Sequence, residues 1–140
     1  MSASAQEEDS VSNVRSMIEE GQENVNKANT RRMRRRKSAK LKLFKKSLKS
    51  FSSAYRMIVG LQLEDPALLQ SVEDGLNQIH AESLIKKELN TLKAKLTKSL
   101  AAKKYNEAYQ IAEELHNLDA RKKEFEYIMR TVAQLSIDKP

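Results

Sequence analysis

Eleven lysines and arginines fall within the twenty residues from Arg31 to Ser50, with no Asp or Glu among them. The stretch reads RRMRRRKSAKLKLFKKSLKS, and its cations are Arg31, Arg32, Arg34, Arg35, Arg36, Lys37, Lys40, Lys42, Lys45, Lys46 and Lys49. Side chains of this type at this density do one kind of chemistry well: they neutralise anions. Like charges so closely spaced repel, so a partner of opposite sign is expected. A polyanion, an anionic membrane surface and an acidic protein all qualify, and RRMRRRK also fits a nuclear-import signal. We read nucleic acid as the leading partner, RNA ahead of DNA. Arg dominates 31–36, where its planar fork suits phosphate, while Lys dominates 37–49 and acts as a set of point charges. No zinc knuckle, RNP aromatic pair or GXXG loop accompanies them, so the expected contact is with the backbone and not with base edges.

The charge is unevenly placed. Residues 1–30 carry six acids against two bases, a net −4, while 31–50 carry +11. The whole chain is +7, so residues 51–140 sum to zero. This reads as a local positive patch on an otherwise balanced surface. The acidic segment 7–23 is a candidate mask that folds back on the basic run.

Other chemistry is sparse. His80 and His116 are the only histidines and the chain has no cysteine, so no metal-ligand set of three or four groups is assembled. Glu113 and Glu114 are read as solvating charges or partners for nearby Lys. There is no Gly-rich phosphate loop, GxSxG elbow or HExxH. We therefore assign no catalytic residue, no metal and no cofactor, and expect a non-enzyme. The absence of cysteine fits a reducing compartment. The polar start MSASAQEEDS is not a secretory signal, and no apolar run approaches a membrane span. A cytoplasmic or nuclear protein is expected.

Three glycines, two prolines and an abundance of charged helix formers point to an all-α protein. The expected architecture is a small bundle of about five to six helices with a long basic amphipathic helix and a disordered N-terminus. Residues 1–10 read as an acidic tail, 11–65 as an N-terminal helical region and 66–140 as a C-terminal bundle. Val11, Val14, Ile18, Val25 and Ala28 recur at helical spacing over 11–29, interrupted by Gly21, which weakens that helix. Leu41, Phe44, Leu48, Phe51, Tyr55 and Ile58 alternate by three and four, as an a/d heptad seam does. The basic run and this seam are expected on one helix that starts before Arg36 and ends between Gly60 and Asp65. Its regularity suggests a partner, so a homodimer burying the seam is one expectation. Phe44, Phe51 and Tyr55 interleave with lysines and are candidates for base stacking, though their spacing favours core packing.

Asp65-Pro66 marks a boundary, with a third helix over 66–80. Further helices are expected over 83–102, 105–117 and 119–135, the last capped by Asn117 or Asp119. A short break is read near Lys103-Lys104, although nothing there forces it and one longer helix is the alternative. Tyr105, Tyr109 and Tyr127 cluster in this C-terminal part and are candidates for a protein-partner face, because Tyr is enriched at interfaces; packing at the bundle rim is the plainer role.

From Leu92 to Glu126 the chain resembles the helical hairpin of the UvrB/UvrC repair proteins. Tyr105, Ala108, Ile111, Glu113 and Leu115 carry the likeness, and Asn106, Tyr109 and Ala112 depart from it. The resemblance implies a protein-contact hairpin and no catalysis.

Overall fold

The computed structural model describes the backbone of residues 2–138 and the side chains of residues 8–137. The acidic tail expected over 1–10 therefore falls mostly outside the described side chains. Among the described residues there are six α-helices, one short 3-10 turn and no strand. The helices are α1 (Ser2–Ala28), α2 (Lys37–Gly60), α3 (Pro66–His80), α4 (Ser83–Ala101), α5 (Tyr105–Leu118) and α6 (Lys123–Asp138).

The heptad seam of α2 builds the first core. Phe44, Leu48, Phe51 and Ile58 are buried within the chain, against Val14, Ile18 and Val25 of α1 and Leu68, Val72, Leu76 and Ile79 of α3. Each such side chain contributes roughly 1.5–3 kcal/mol on burial. The seam is thus satisfied inside one chain, which removes the reason to expect a dimer across it. It also takes Phe44 and Phe51 away from base stacking, and leaves Tyr55 half-buried at the edge of the same core.

Gly21 and Gly75 acquire a purpose here. A Cβ on Gly21 would stand 2.8 Å from the tip of the Phe51 ring, and one on Gly75 2.5 Å from it. The two glycines are what let α1 and α3 close on either side of that ring. Ser47 adds a buried hydrogen bond from its hydroxyl to the Gly21 carbonyl at 2.7 Å.

α3 starts as expected. Pro66 occupies its first turn, and the Asp65 carboxylate accepts a hydrogen bond from the Leu68 N–H at 3.2 Å. In packing, though, α3 belongs with α1 and α2, so residue 65 does not divide the cores. A second core lies in α4–α6, where Leu96, Ala108, Ala112, Leu115, Phe125 and Val132 meet. Leu89 and Leu92 of α4 touch both cores and join them.

α4 and α5 do not run on as one helix. Lys103 takes a left-handed φ of 60°, and the N–H groups of Lys103 and Lys104 close back on the carbonyls of Leu100 and Ser99. This is a Schellman-type stop with lysine where glycine is usual. The strain, of order 1 kcal/mol, is offset by packing α5 back against α4. α6 starts at Lys123, later than expected, because Asp119 turns the chain instead of capping a helix. Its carboxylate accepts from the Arg121 N–H at 3.1 Å, and its carbonyl from the Lys122 N–H at 3.1 Å.

Candidate nucleic-acid interface

The structure splits the basic run in two. Its arginine half is not on the long helix. α1 ends at Ala28, the chain turns through the 3-10 turn Arg31–Met33, and α2 begins only at Lys37. Met33 is half-buried, while Arg31, Arg32, Arg34, Arg35 and Arg36 are all exposed. No carboxylate among the described residues lies in ion-pair range of these five. Arg36 occupies the N-cap position of α2 without a side-chain cap, and the first turn of α2 contains no acid. The positive end of a helix dipole therefore faces a cluster of positive side chains, an arrangement that an external anion would relieve.

The lysine half lies on α2, but α2 is the central helix, packed by α1, α3, α4 and α5. Only a narrow stripe of it reaches solvent, including Lys37, Lys42, Lys46 and Lys49. Lys40 is half-buried with its ammonium 5.7 Å from the centre of the Phe44 ring, a weak cation–π contact. Two lysines are already used. Lys45 pairs with Glu88 of α4 and lies 3.9 Å from Glu114 of α5; Lys49 lies 3.7 Å from the same Glu114. Glu114 thus bridges helices, beyond solvating its own. Of the eleven cations singled out from sequence, nine remain free of carboxylates among the described residues.

The expected mask over 7–23 is not what meets the lysines. Glu19, Glu20 and Glu23 are exposed on α1, and Glu23 pairs with Lys27 one turn along at 3.4 Å. Among the described residues, the carboxylates that pair with the basic helix come from α4 and α5.

The three tyrosines do not share one environment. Tyr105 is half-buried against the second core, whereas Tyr109 and Tyr127 are exposed, Tyr127 to 70%. Near the end of α6, Leu135 and Ile137 are also exposed.

One cluster was not singled out from sequence. The α5–α6 corner is tied to α2 and α3 by polar groups far apart in the chain. The Ala120 N–H donates to the Ser52 hydroxyl at 3.1 Å, and His80 Nε2 donates to the Leu118 carbonyl at 3.1 Å. The Arg121 guanidinium grips the buried Asp119 carboxylate at 2.9 and 3.0 Å and reaches Asn77 at 2.8 Å. Arg56 Nη2 donates to His116 Nδ1 at 2.6 Å and to Asn117 Oδ1 at 2.9 Å. The sequence singled out its two histidines, and Asn117 and Asp119 as candidate caps, but gave no hint of these partners. No buried side-chain polar atom among the described residues lacks a hydrogen-bond partner, and these bonds tie the α5–α6 corner to α2 and α3 as a clamp. Among the described residues no group of three His, Cys, Asp or Glu converges to hold a metal.

The clamp has a pH signature. A guanidinium only donates, so His116 Nδ1 must accept and the ring is neutral. Burial, then the charge of Arg56, holds the His116 pKa below its ordinary value of 6.5. Burial does the same to His80 against the opposing pull of Asp119. For Asp119, burial alone would raise the pKa, but the hydrogen bonds and charge of Arg121 outweigh it and hold the carboxyl below 3.8. All three groups bind fewer protons folded than unfolded. Their stabilisation is present above the unfolded pKa and is lost as pH falls below it. The thermal midpoint is therefore expected to drop first below about pH 6.5, through the histidines, and again below about pH 3.8. In a chain of this size each kcal/mol lost lowers it by about 2–4 °C. His116→Gln, which keeps an acceptor for Arg56, should shrink the first drop; a melt series from pH 7 to 5 identical to wild type would contradict this assignment.

No protein-family model, curated protein or solved structure matches this chain.

Proposed function

We propose that this protein is a non-enzymatic nucleic-acid-binding factor that grips the phosphate backbone at the α1–α2 corner, with α5 and α6 as a module for contact with a protein partner. One observation carries the reading: five exposed arginines, without carboxylate partners among the described residues, lead into a helix N-terminus that has no side-chain cap. Lys37, Lys42 and Lys46 extend the patch along α2.

Burial of the heptad seam weighs against the membrane and helix-target alternatives. A helix that lies on lipid or in a target groove inserts bulky apolar anchors. Here Phe44, Leu48 and Phe51 are the anchors, and all three are buried in the chain's own core. The same burial separates modes of nucleic-acid contact. A recognition helix must enter a groove with one side free. α2 is flanked by four other helices, so its lysines are suited to touching a backbone from outside. That suits A-form RNA, whose deep major groove side chains do not read and which is recognised by shape and backbone. Exposed Tyr109, Tyr127 and Ile137 support the protein-contact role of α5 and α6, the role implied by the UvrB/UvrC-like hairpin.

The test is a salt titration of the full chain on duplex RNA, duplex DNA, single strands and anionic vesicles. Steeply salt-dependent binding, tightest to duplex RNA, is expected. Binding to vesicles with none to any nucleic acid would replace this reading with the membrane-docking one.

A further inference from the structure

The zero net charge of residues 51–140 conceals a second basic element. Residues 51–82 carry Arg56 against five acids, while 83–104 carry seven lysines against Glu88 alone, a net +6. That second stretch is α4 and the corner after it, and all seven lysines are exposed. None of them has a carboxylate in ion-pair range among the described residues, in contrast to Lys45 and Lys49 on α2. The apparent balance of this half thus combines a basic stretch at 83–104 with net acidic stretches on both sides of it, 51–82 and 105–140.

The arrangement on the helix matters more than the count. Lys87, Thr91, Lys95 and Lys98 follow one another by four, four and three, so they form a single stripe on the outer surface of α4. The stripe runs beside Glu88, the residue that pairs with Lys45 of α2. Its far end opens into a groove of about 400 Å³ between α4 and α5, lined by Lys95, Lys98, Ser99, Ala102 and Lys104 with one acid, Glu107, at its α5 side. At the other end Lys87 is next in sequence to Glu88, whose pairing with Lys45 ties this end of α4 to α2. Between the two cationic stretches, Glu88 and Glu114 make a short neutral stretch by pairing with Lys45 and Lys49.

From the arginine corner and the α4 stripe together, we infer that one nucleic-acid backbone lies across both, making α4 a second phosphate-binding surface. This rests on the nucleic-acid reading proposed above and extends it to the C-terminal half. The outer surface of α4 offers Asn90, Thr91 and Thr97 between its lysines and no bulky aromatic side chain. Such a face suits phosphates and lacks the anchors that a lipid-bound helix needs. At a rise of about 1.5 Å per residue, Lys37 to Lys45 spans about 12 Å and Glu88 to Lys98 about 15 Å. With the arginine corner added, the track is at most about 40 Å long, near 12 base pairs at about 3.4 Å each.

The experiment uses the full-length chain, the triple variant Lys87→Gln, Lys95→Gln, Lys98→Gln, and the same three positions changed to Arg. Each is titrated with salt against hairpin duplexes with stems of about 6 and about 16 base pairs, the shorter reaching only one surface at about 3.4 Å per pair. On the long stem the Gln variant should lose affinity several-fold and flatten the salt slope by up to about 2.7. On the short stem its loss should be smaller, and the Arg version should bind like wild type on both. The exposed positions leave the thermal midpoint as a check that the fold is intact. If the Gln variant binds the long stem as tightly as wild type while arginine-corner variants lose binding, the α4 surface is overturned and the nucleic-acid reading stands. If the Gln variant loses equally on both stems, the single shared track is overturned. If neither set of variants changes binding, the nucleic-acid reading itself has failed.

Discussion

Replacing Arg34, Arg35 and Arg36 together with Ala is expected to flatten the dependence of log affinity on log salt by up to about 2.7 units on duplex DNA. Each phosphate contact contributes a slope of about 0.9 through counterion release, and three contacts are removed. Between about 50 and 200 mM salt, wild type should therefore lose roughly 40-fold more affinity than the variant. The expectation is sharp because the three side chains carry no other duty. They are exposed, have no carboxylate partner among the described residues, and flank a helix N-terminus without a side-chain cap. Folding should be insensitive to the change, and removal of like charges near the positive end of α2 should slightly stabilise it. Lys45→Ala and Lys49→Ala form the internal control. Their ammonium groups already face Glu88 and Glu114, so their loss should alter the salt slope less than loss of the arginines. Equal slopes for wild type and the arginine variant, measured on duplex RNA and DNA, would remove the α1–α2 corner as the contact site.

The comparison of arginine and lysine halves shows where sequence periodicity informs and where it does not. The seam from Leu41 to Ile58 was legible because its three-four spacing is a local property of one helix. The ends of α3, α4 and α5 were legible to within a residue, because Asp65-Pro66, the apolar stripes and the short connections are also local. Continuation of the helix through Arg36 was not legible. Residues 31–36 have no apolar periodicity, so their shape is decided by the need to fold α1 back onto α2. Which cations are free was also not legible, since Glu88 and Glu114 lie dozens of residues away from Lys45 and Lys49. The lysine stripe of α4 was present in the sequence throughout. It was hidden by summing residues 51–140, an operation that discards position along the helix. The clamp around Asp119 depended on Ser52, Asn77 and His80 and had no local signature at all.

Gly75→Ala gives the prediction in which local and tertiary reasoning differ in sign. In an exposed helix interior, Gly to Ala stabilises by about 1 kcal/mol, since Ala has the higher helix propensity. Gly75 lies mid-helix in α3 and has an ordinary helical backbone, so a sequence argument predicts a gain. The structure predicts a loss. The added methyl would stand 2.5 Å from the tip of the Phe51 ring and 2.7 and 2.8 Å from its flanking carbons, too close for any real contact. The ring is also approached closely by α1, where a Cβ on Gly21 would stand 2.8 Å from its tip. Either the Phe51 ring or α3 must shift, and overpacking of this kind costs about 1–3 kcal/mol. Phe51→Ala should cost more, about 3–5 kcal/mol, a large share of the roughly 5–15 kcal/mol that holds a domain together. The two changes touch the same space, so they should not add. Gly75→Ala combined with Phe51→Leu should be more stable than the sum of the single losses implies, because the smaller side chain vacates what the methyl occupies. Urea unfolding of the single and double variants measures this coupling. A Gly75→Ala protein at least as stable as wild type would mean that α3 does not close on Phe51 as described. Additive losses would mean that the two positions do not share the gap.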